Sequence, residues 1–387
     1  MGQNMASAQT AWAEEFPLDV GLIYLNHAAV APWPRRTADA VKAFAEENLQ
    51  RGSWAYPAWV ATENRLREQC RALLNAPAAT DIALLKNTSE ALSVVAHGLD
   101  WQRADNVVIS DQEFPSNRIV WQSLAPRGVE TRQADLHAAA SPEDALFAHV
   151  DARTRVLAIS SVQYASGMRL DLVRLGALCK ERGILFCVDA IQSLGALPLD
   201  VQDCGADFVM ADGHKWLLAP EGCALFYSRP EARQRLSLHQ FGWHMVEAHM
   251  DFFRADWHEA ASARRFECGS PNMLGIHALS ASLDLLAEVG MENVAQHVLA
   301  NSALLMTRLG ALPGIELLTP GQSGRHAGIV SFRSAGIDAS ELHQQLVARK
   351  ILCAQRGAGV RFSPHFYTPL AHLELAVEAV RELTQPR

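Results

Sequence analysis

Five short, continuous apolar runs constrain this chain most: residues 107–110, 156–160, 184–188, 207–210 and 223–227. A strand with one solvated face alternates apolar and polar residues; a strand covered by helices on both faces does not. Helical patterns over 116–124 and 170–182 follow the first two runs, and Gly183 stands where a helix C-terminus favours glycine. The pattern predicts an α/β protein with a mainly parallel central sheet and helices on both faces.

Flanking patterns set the domain boundaries. Amphipathic helices are expected over 36–49 and 59–74 ahead of the sheet, and over 276–289 and 291–309 after it, broken at Gly290. Strand-like 328–332 and 360–363 then alternate with helical 339–347 and 370–383. The expected organisation is an N-terminal segment 1–20, a large domain 21–289 and a small C-terminal α+β domain 290–387.

Composition narrows the function classes. Apolar residues make up 49% and charged residues 20%, which excludes a disordered or fibrous chain. A net charge of −8 argues against nucleic acid as a partner, because phosphate neutralisation needs a basic surface. No apolar run reaches the roughly 18 residues a bilayer requires, so no membrane is expected. Residues 1–15 lack a signal-peptide pattern, and Ala6 stands where a myristoylation motif wants Ser or Thr. The cysteines are odd in number and scattered, without a CxxC pair, so reduced thiols and a cytoplasmic location are expected. His239, His244, His249 and His258 are spaced unlike metal ligands, and no metal is expected.

In open α/β sheets, ligands bind at the carboxyl ends of strands. There this sequence places Asp189 and Gln192, His214 and Lys215, Glu113 and Phe114, and a helix start at Thr88-Ser89. Each type has a task if the cofactor is pyridoxal 5′-phosphate. A lysine forms the Schiff base and a carboxylate keeps the pyridine nitrogen protonated. An aromatic ring packs on the cofactor, and a helix N-terminus receives the phosphate. The chain has five lysines, Lys42, Lys86, Lys180, Lys215 and Lys350; only Lys215 follows an expected strand among polar residues.

Asp189 and Gln192, followed 23 residues later by His214-Lys215-Trp216, resemble the class V aminotransferase and cysteine desulfurase-like family of fold-type-I pyridoxal-phosphate enzymes. The likeness runs from Tyr24-Leu25-Asn26-His27-Ala28-Ala29 through Thr88-Ser89-Glu90, Glu113-Phe114 and Asn117. It continues to Arg265, Gly269-Ser270 and Asn272, and on to Arg361, Ser363 and Tyr367. Isopenicillin N epimerase-like and desulfurase-like members are the most similar. The resemblance implies the aspartate-aminotransferase-like fold and a homodimer with shared active sites acting on a small amino acid. It makes Lys215 the Schiff-base lysine, Asp189 the pyridine partner and Gln192 the contact of the phenolic oxygen. Phe114 would stack on the ring. Thr88, Ser89 and His214 would hold the phosphate, with Ser270 reaching it from the neighbouring subunit. Arg361 would clamp the substrate carboxylate.

The sequence departs from the family's pattern in three places and lacks a fourth feature. Phe114 stands where desulfurases carry histidine, Asp212 where many members carry serine, and Tyr164 near where desulfurases carry asparagine. Residues 354–360 are too short for the loop that presents their catalytic cysteine, and Cys353 lies in an apolar run expected to be buried. Hence Cys353 is not expected to be a persulfide-forming nucleophile. A class V aminotransferase or C–S lyase type reaction is expected. Desulfuration or epimerisation is the alternative within the family, and a catalytically silent binding module is the alternative outside it. Retention of Lys215, Asp189 and Arg361 together argues against the silent module. His244, in an aromatic loop, is a further candidate for facing substrate, as is Tyr164.

Overall fold

The structure is a computed structural model and describes residues 12–384; the first eleven residues of the expected 1–20 segment lie outside them. In chain order the strands are β1 (Ile23–Tyr24), β2 (Ile82–Leu85), β3 (Asn106–Ser110), β4 (Glu130–Ala134), β5 (Thr154–Ser160), β6 (Leu185–Asp189) and β7 (Phe208–Asp212). They continue as β8 (Ala224–Ser228), β9 (Ile315–Leu317), β10 (Val330–Ser334), β11 (Ile351–Leu352), β12 (Ala354–Arg356) and β13 (Gly359–Phe362).

Seven strands form the central sheet in the order β2-β8-β7-β6-β5-β3-β4. β7, β6, β5, β3 and β4 are mutually parallel, and β8 runs antiparallel to both its neighbours. The continuous apolar runs have a direct cause. Along β5, Leu157 and Ile159 enter one core while Val156 and Ala158 enter the core on the opposite face. β6 divides in the same way, Phe186 and Val188 against Leu185 and Cys187. Burying each large aliphatic side chain contributes about 1.5–3 kcal/mol, so a polar residue on either face of these strands is disfavoured. The parallel geometry brings the ends of β3, β5, β6 and β7 (Ser110, Ser160, Asp189 and Asp212) to one edge of the sheet, all four buried.

The second half of the molecule carries a four-stranded antiparallel sheet, β12-β13-β10-β9, and the two-stranded parallel pair β1-β11. Its core includes Val330, Phe332, Val360 and Phe362, together with Ile23 and Leu25 from the N-terminal side of the chain. The helix Met291–Gly310 gives Val294 and Val298 to the large core and Leu305 and Leu309 to the small one. It follows the helix Met273–Val289 at a bend of 83°, made at Gly290 with its positive φ. Among the described residues no single helix is long and apolar enough to cross a membrane.

Candidate active site

Lys215 lies in the turn after β7. It is buried, and its Nζ stands 5.5 Å from the centroid of the Phe114 ring. Burial lowers the pKa of its amine; Asp189 opposes that shift, and the charges of Arg361 and Arg356 add to it. The turn is held from several sides. Ala31 N donates to His214 O at 2.8 Å, Trp216 Nε1 donates to Gln192 Oε1 at 3.0 Å, and His365 Nε2 meets Trp216 O at 3.1 Å. Leu218, three residues on, holds a left-handed φ of 62° while fully buried, and its carbonyl accepts from Ser282 Oγ at 2.9 Å.

Asp189 ends β6, next to β7 in the sheet. Its Oδ1 accepts the Ile191 N–H at 3.0 Å. Burial raises its pKa, and the Glu113 and Asp212 carboxylates push the same way while Ile191 N–H and Lys215 oppose. A carboxyl in that state gains most from a hydrogen-bonded cation placed against it. Gln192 is occupied at both ends, since its Nε2 also donates to Ala28 O at 3.0 Å. It therefore ties the N-terminal strand region to the Lys215 turn, with one amide hydrogen left to offer.

Thr88 and Ser89 open the helix Thr88–Gly98, as the sequence suggests, but the capping residue is Asn87, whose Oδ1 accepts Glu90 N at 2.9 Å. The amides of Thr88 and Ser89 precede the helix's own hydrogen bonds. Thr88 Oγ1 is buried without a partner, and Ser89 Oγ donates to Ser116 Oγ at 2.8 Å. His214 Nδ1 lies 3.2 Å from Asp212 Oδ1, without hydrogen-bonding alignment.

Phe114 precedes the helix Pro115–Gln122 and is 40% exposed, packing edge-on against Tyr164 at 5.1 Å. Sequence reasoning gave no role to its neighbour Glu113, which is the hub of this corner. The buried Glu113 carboxylate accepts from Ser110 Oγ, Asn117 Nδ2, Ser160 N and Ser160 Oγ at 2.5–2.9 Å. The signal was present in the sequence as an acid and an amide four residues apart across a helix start.

Arg361, on β13, is 1% exposed. Its Nη1 donates to Tyr164 O at 2.7 Å, while Nε and Nη2 have no partner. Burial pulls its pKa down to about 9, and the charge of Arg356 adds to the effect. One whole edge of a buried guanidinium is thus open, the edge that receives a carboxylate in bidentate fashion.

Two candidates stand apart from this group within the chain. Ser270 is exposed and borders a cavity of about 420 Å³ with Gly269, Lys86 and Asn272. His244 is buried in a different cluster, with Nδ1 3.5 Å from Glu267 Oε2, whose carboxylate also pairs with Arg67. Cys353 lies between β11 and β12, buried, and burial pushes its thiol up to about 12. The run is buried as expected, and it is split between two sheets, β11 pairing with β1 and β12 with β13.

The residues present fit pyridoxal 5′-phosphate. The orphaned Thr88 hydroxyl and the free amides of its helix suit a phosphate. The buried Asp189 suits a protonated pyridine nitrogen, and the half-exposed Phe114 face, beside the Lys215 amine, suits a planar ring.

The relatives agree in extent. A probable cysteine desulfurase of Pseudomonas aeruginosa is 31% identical over 381 residues, 94% of this chain and 90% of the relative. Another, of Methanothermobacter thermautotrophicus, is 29% identical over 395 residues, 95% of this chain and 96% of the relative. Among solved structures, the cystine C–S lyase C-DES in complex with its reaction product cysteine persulfide superposes with a TM-score of 0.89. It is 23% identical and covers 96% of this chain and 100% of that one. The cysteine desulfurase CsdA from Escherichia coli gives a TM-score of 0.87 at 24% identity, covering 97% of this chain and 99% of that one. Both share the pyridoxal-phosphate-dependent transferase fold. The aminotransferase class-V profile matches residues 23–371, nearly the whole chain, which therefore belongs to the class-V aminotransferase family of pyridoxal-phosphate-dependent enzymes.

Proposed function

We propose that this enzyme cleaves the Cβ–S bond of a small sulfur-bearing α-amino acid without using a cysteine of its own. The observation that carries this reading is Arg361, a buried guanidinium whose Nη1 is held by Tyr164 O and whose Nε and Nη2 are open, its charge acting on the buried amine of Lys215. Two relatives named as cysteine desulfurases and a structural neighbour named as a cystine C–S lyase support the choice of sulfur. The burial of Cys353, with its thiol pushed up, favours elimination over persulfide formation on that residue.

Bound pyridoxal phosphate supplies an electron sink conjugated to the substrate's Cα. Lys215 would carry it covalently, Asp189 would hold a proton at its pyridine nitrogen, and Thr88, Ser89 and His214 would hold its phosphate. Gln192 would offer its remaining amide hydrogen, and Phe114 would cover one ring face. Arg361 binds the substrate carboxylate and so orients the Cα–H bond. The amine of Lys215, its pKa lowered by burial, is neutral often enough near neutral pH to take the Cα proton. The Cα–H electron pair becomes the Cα=Cβ bond, and sulfur leaves with the Cβ–S pair. Water then hydrolyses the released enamine to a keto acid and ammonia.

A homodimer in a reducing, cytoplasmic setting completes the proposal. Six of the seven free cysteines are buried, and Phe241, Met250, Phe252, Phe253 and Trp257 are exposed in the segment that precedes Ser270 by 13 to 29 residues. An amino-acid panel assayed for pyruvate, sulfide and amino-group transfer tests the reaction. Pyruvate with sulfide from cysteine, or pyruvate with cysteine persulfide from cystine, is expected; transamination without release of sulfur contradicts the reading.

A further inference from the structure

Three buried polar atoms without a hydrogen bond stand at one corner of the central sheet: Thr88 Oγ1, Asp212 Oδ1 and His214 Nδ1. The register of the sheet brings them together. Side chains alternate along a strand, so Asp212 shares a face with Phe208 and Met210, which pack into the same core as Leu92 and Val95 of the helix Thr88–Gly98. In the row across the sheet Asp212 is opposite Ala224, and Ala224 is opposite Leu85, three residues before Thr88. Asp212 thus ends β7 on the side where that helix begins. His214 follows two residues later, its Nδ1 3.2 Å from Asp212 Oδ1. Buried polar atoms left open in a fold call for an explanation.

A carboxylate has no direct use at a phosphate, which it repels. Of the other groups that feel the charge of Asp212, Asp189 is a second carboxylate, and Lys215 is committed to the cofactor when it is bound. That leaves the imidazole of His214. A carboxylate and a phosphate dianion are both acceptors. An imidazole that serves both therefore donates from both ring nitrogens, which only the imidazolium can do.

We propose that Asp212 is a positioning residue for the cofactor phosphate. It accepts the Nδ1–H of His214, fixes the ring, and holds it as an imidazolium whose Nε2–H is given to the phosphate. The second ring proton is taken up from water as the phosphate binds. This rests on the assignment of His214 to the phosphate and supplies the partner that makes His214 a cation there.

The dissociation constants of pyridoxal 5′-phosphate and of pyridoxal, which lacks the phosphate, are measured on the full chain by equilibrium dialysis, with each bound form read by its visible absorption. Asp212→Asn, which keeps the shape of the side chain, weakens pyridoxal 5′-phosphate at least about fivefold and pyridoxal less than about twofold. In a His214→Gln background the sign reverses: with no imidazolium to hold, the carboxylate only repels, and adding Asp212→Asn tightens pyridoxal 5′-phosphate about twofold or more. Tighter or unchanged pyridoxal 5′-phosphate binding in Asp212→Asn alone overturns the inference and leaves His214 at the phosphate. So does a weakening of the same size in both backgrounds, or of both ligands alike, which marks a structural role for Asp212. Pyridoxal 5′-phosphate bound as tightly by His214→Gln as by the wild type removes His214 from the phosphate and overturns both.

Discussion

His365 Nε2 lies 3.1 Å from the carbonyl oxygen of Trp216, so the residue after Lys215 is clamped by the segment that follows Arg361. His365 Nδ1 accepts the Phe366 N–H at 2.8 Å, which makes Nε2 the protonated, donating nitrogen. Arg361 and Lys215, to which the proposal gives substrate binding and proton transfer, are therefore set relative to each other through one buried neutral imidazole. Replacing His365 by Leu leaves the Trp216 carbonyl unpaired and is expected to destabilise the fold by about 1–3 kcal/mol. His365→Gln, which keeps a donor, is expected to recover part of that loss. Urea denaturation of the two variants checks the order.

In the proposed function Arg361 opposes stability and serves binding. A buried guanidinium with two unpaired nitrogens is costly to the folded apoprotein. Arg361→Met is expected to raise apoprotein stability by about 1–3 kcal/mol while lowering kcat/KM at least about 100-fold. Thermal unfolding and kinetics on the same preparation test both halves.

In the proposed function the thiol of Cys353 is not needed. Cys353→Ala is expected to leave turnover within a few-fold of wild type, about 1 kcal/mol or less on the barrier. Loss of sulfide release by orders of magnitude in this variant would restore the desulfurase reading.

His27 makes stability pH-dependent. Its Nδ1 donates to Ser363 O at 2.8 Å and its Nε2 accepts from Tyr367 Oη at 2.7 Å, so it is neutral, and burial pulls its pKa down from 6.5 to about 4. In that window the unfolded chain binds a proton that the folded chain refuses. The stability tied to His27 is full above pH 6.5 and is lost as pH falls toward 4. His365, also lowered by burial, acts in the same direction, and Asp189, raised by burial, acts in the opposite one. The comparison with His27→Gln isolates the term: between pH 7 and pH 5 the wild-type advantage is expected to shrink by about 2 kcal/mol.

What the sequence discloses follows from where the physical signal is local. The helix over 291–309 and the runs that became β5, β6 and β7 are legible because both faces of each strand are apolar. β4, Glu130-Thr131-Arg132-Gln133-Ala134, is an edge strand with mostly exposed or half-buried residues and carries no such signature. Lys215, Asp189 and Arg361 could be singled out from strand ends and the family likeness. Glu113 leaves a local trace in Asn117 but not its bonds to Ser160, and His365 and the Gln192–Trp216 bond could not be read, because their partners come from distant parts of the chain. The neighbourhood of Arg356 depends on the β12–β13 register, and that register is set by the turn at Gly357, which adopts a positive φ.

The central claim is that Lys215 carries the cofactor and moves the substrate proton. Borohydride reduction of the holoenzyme followed by peptide mapping tests it most directly. The account predicts a single reduced cofactor adduct on the peptide containing His214-Lys215-Trp216, absent from Lys215→Ala. A reduced adduct on Lys42, Lys86, Lys180 or Lys350, or one that persists in Lys215→Ala, would contradict it.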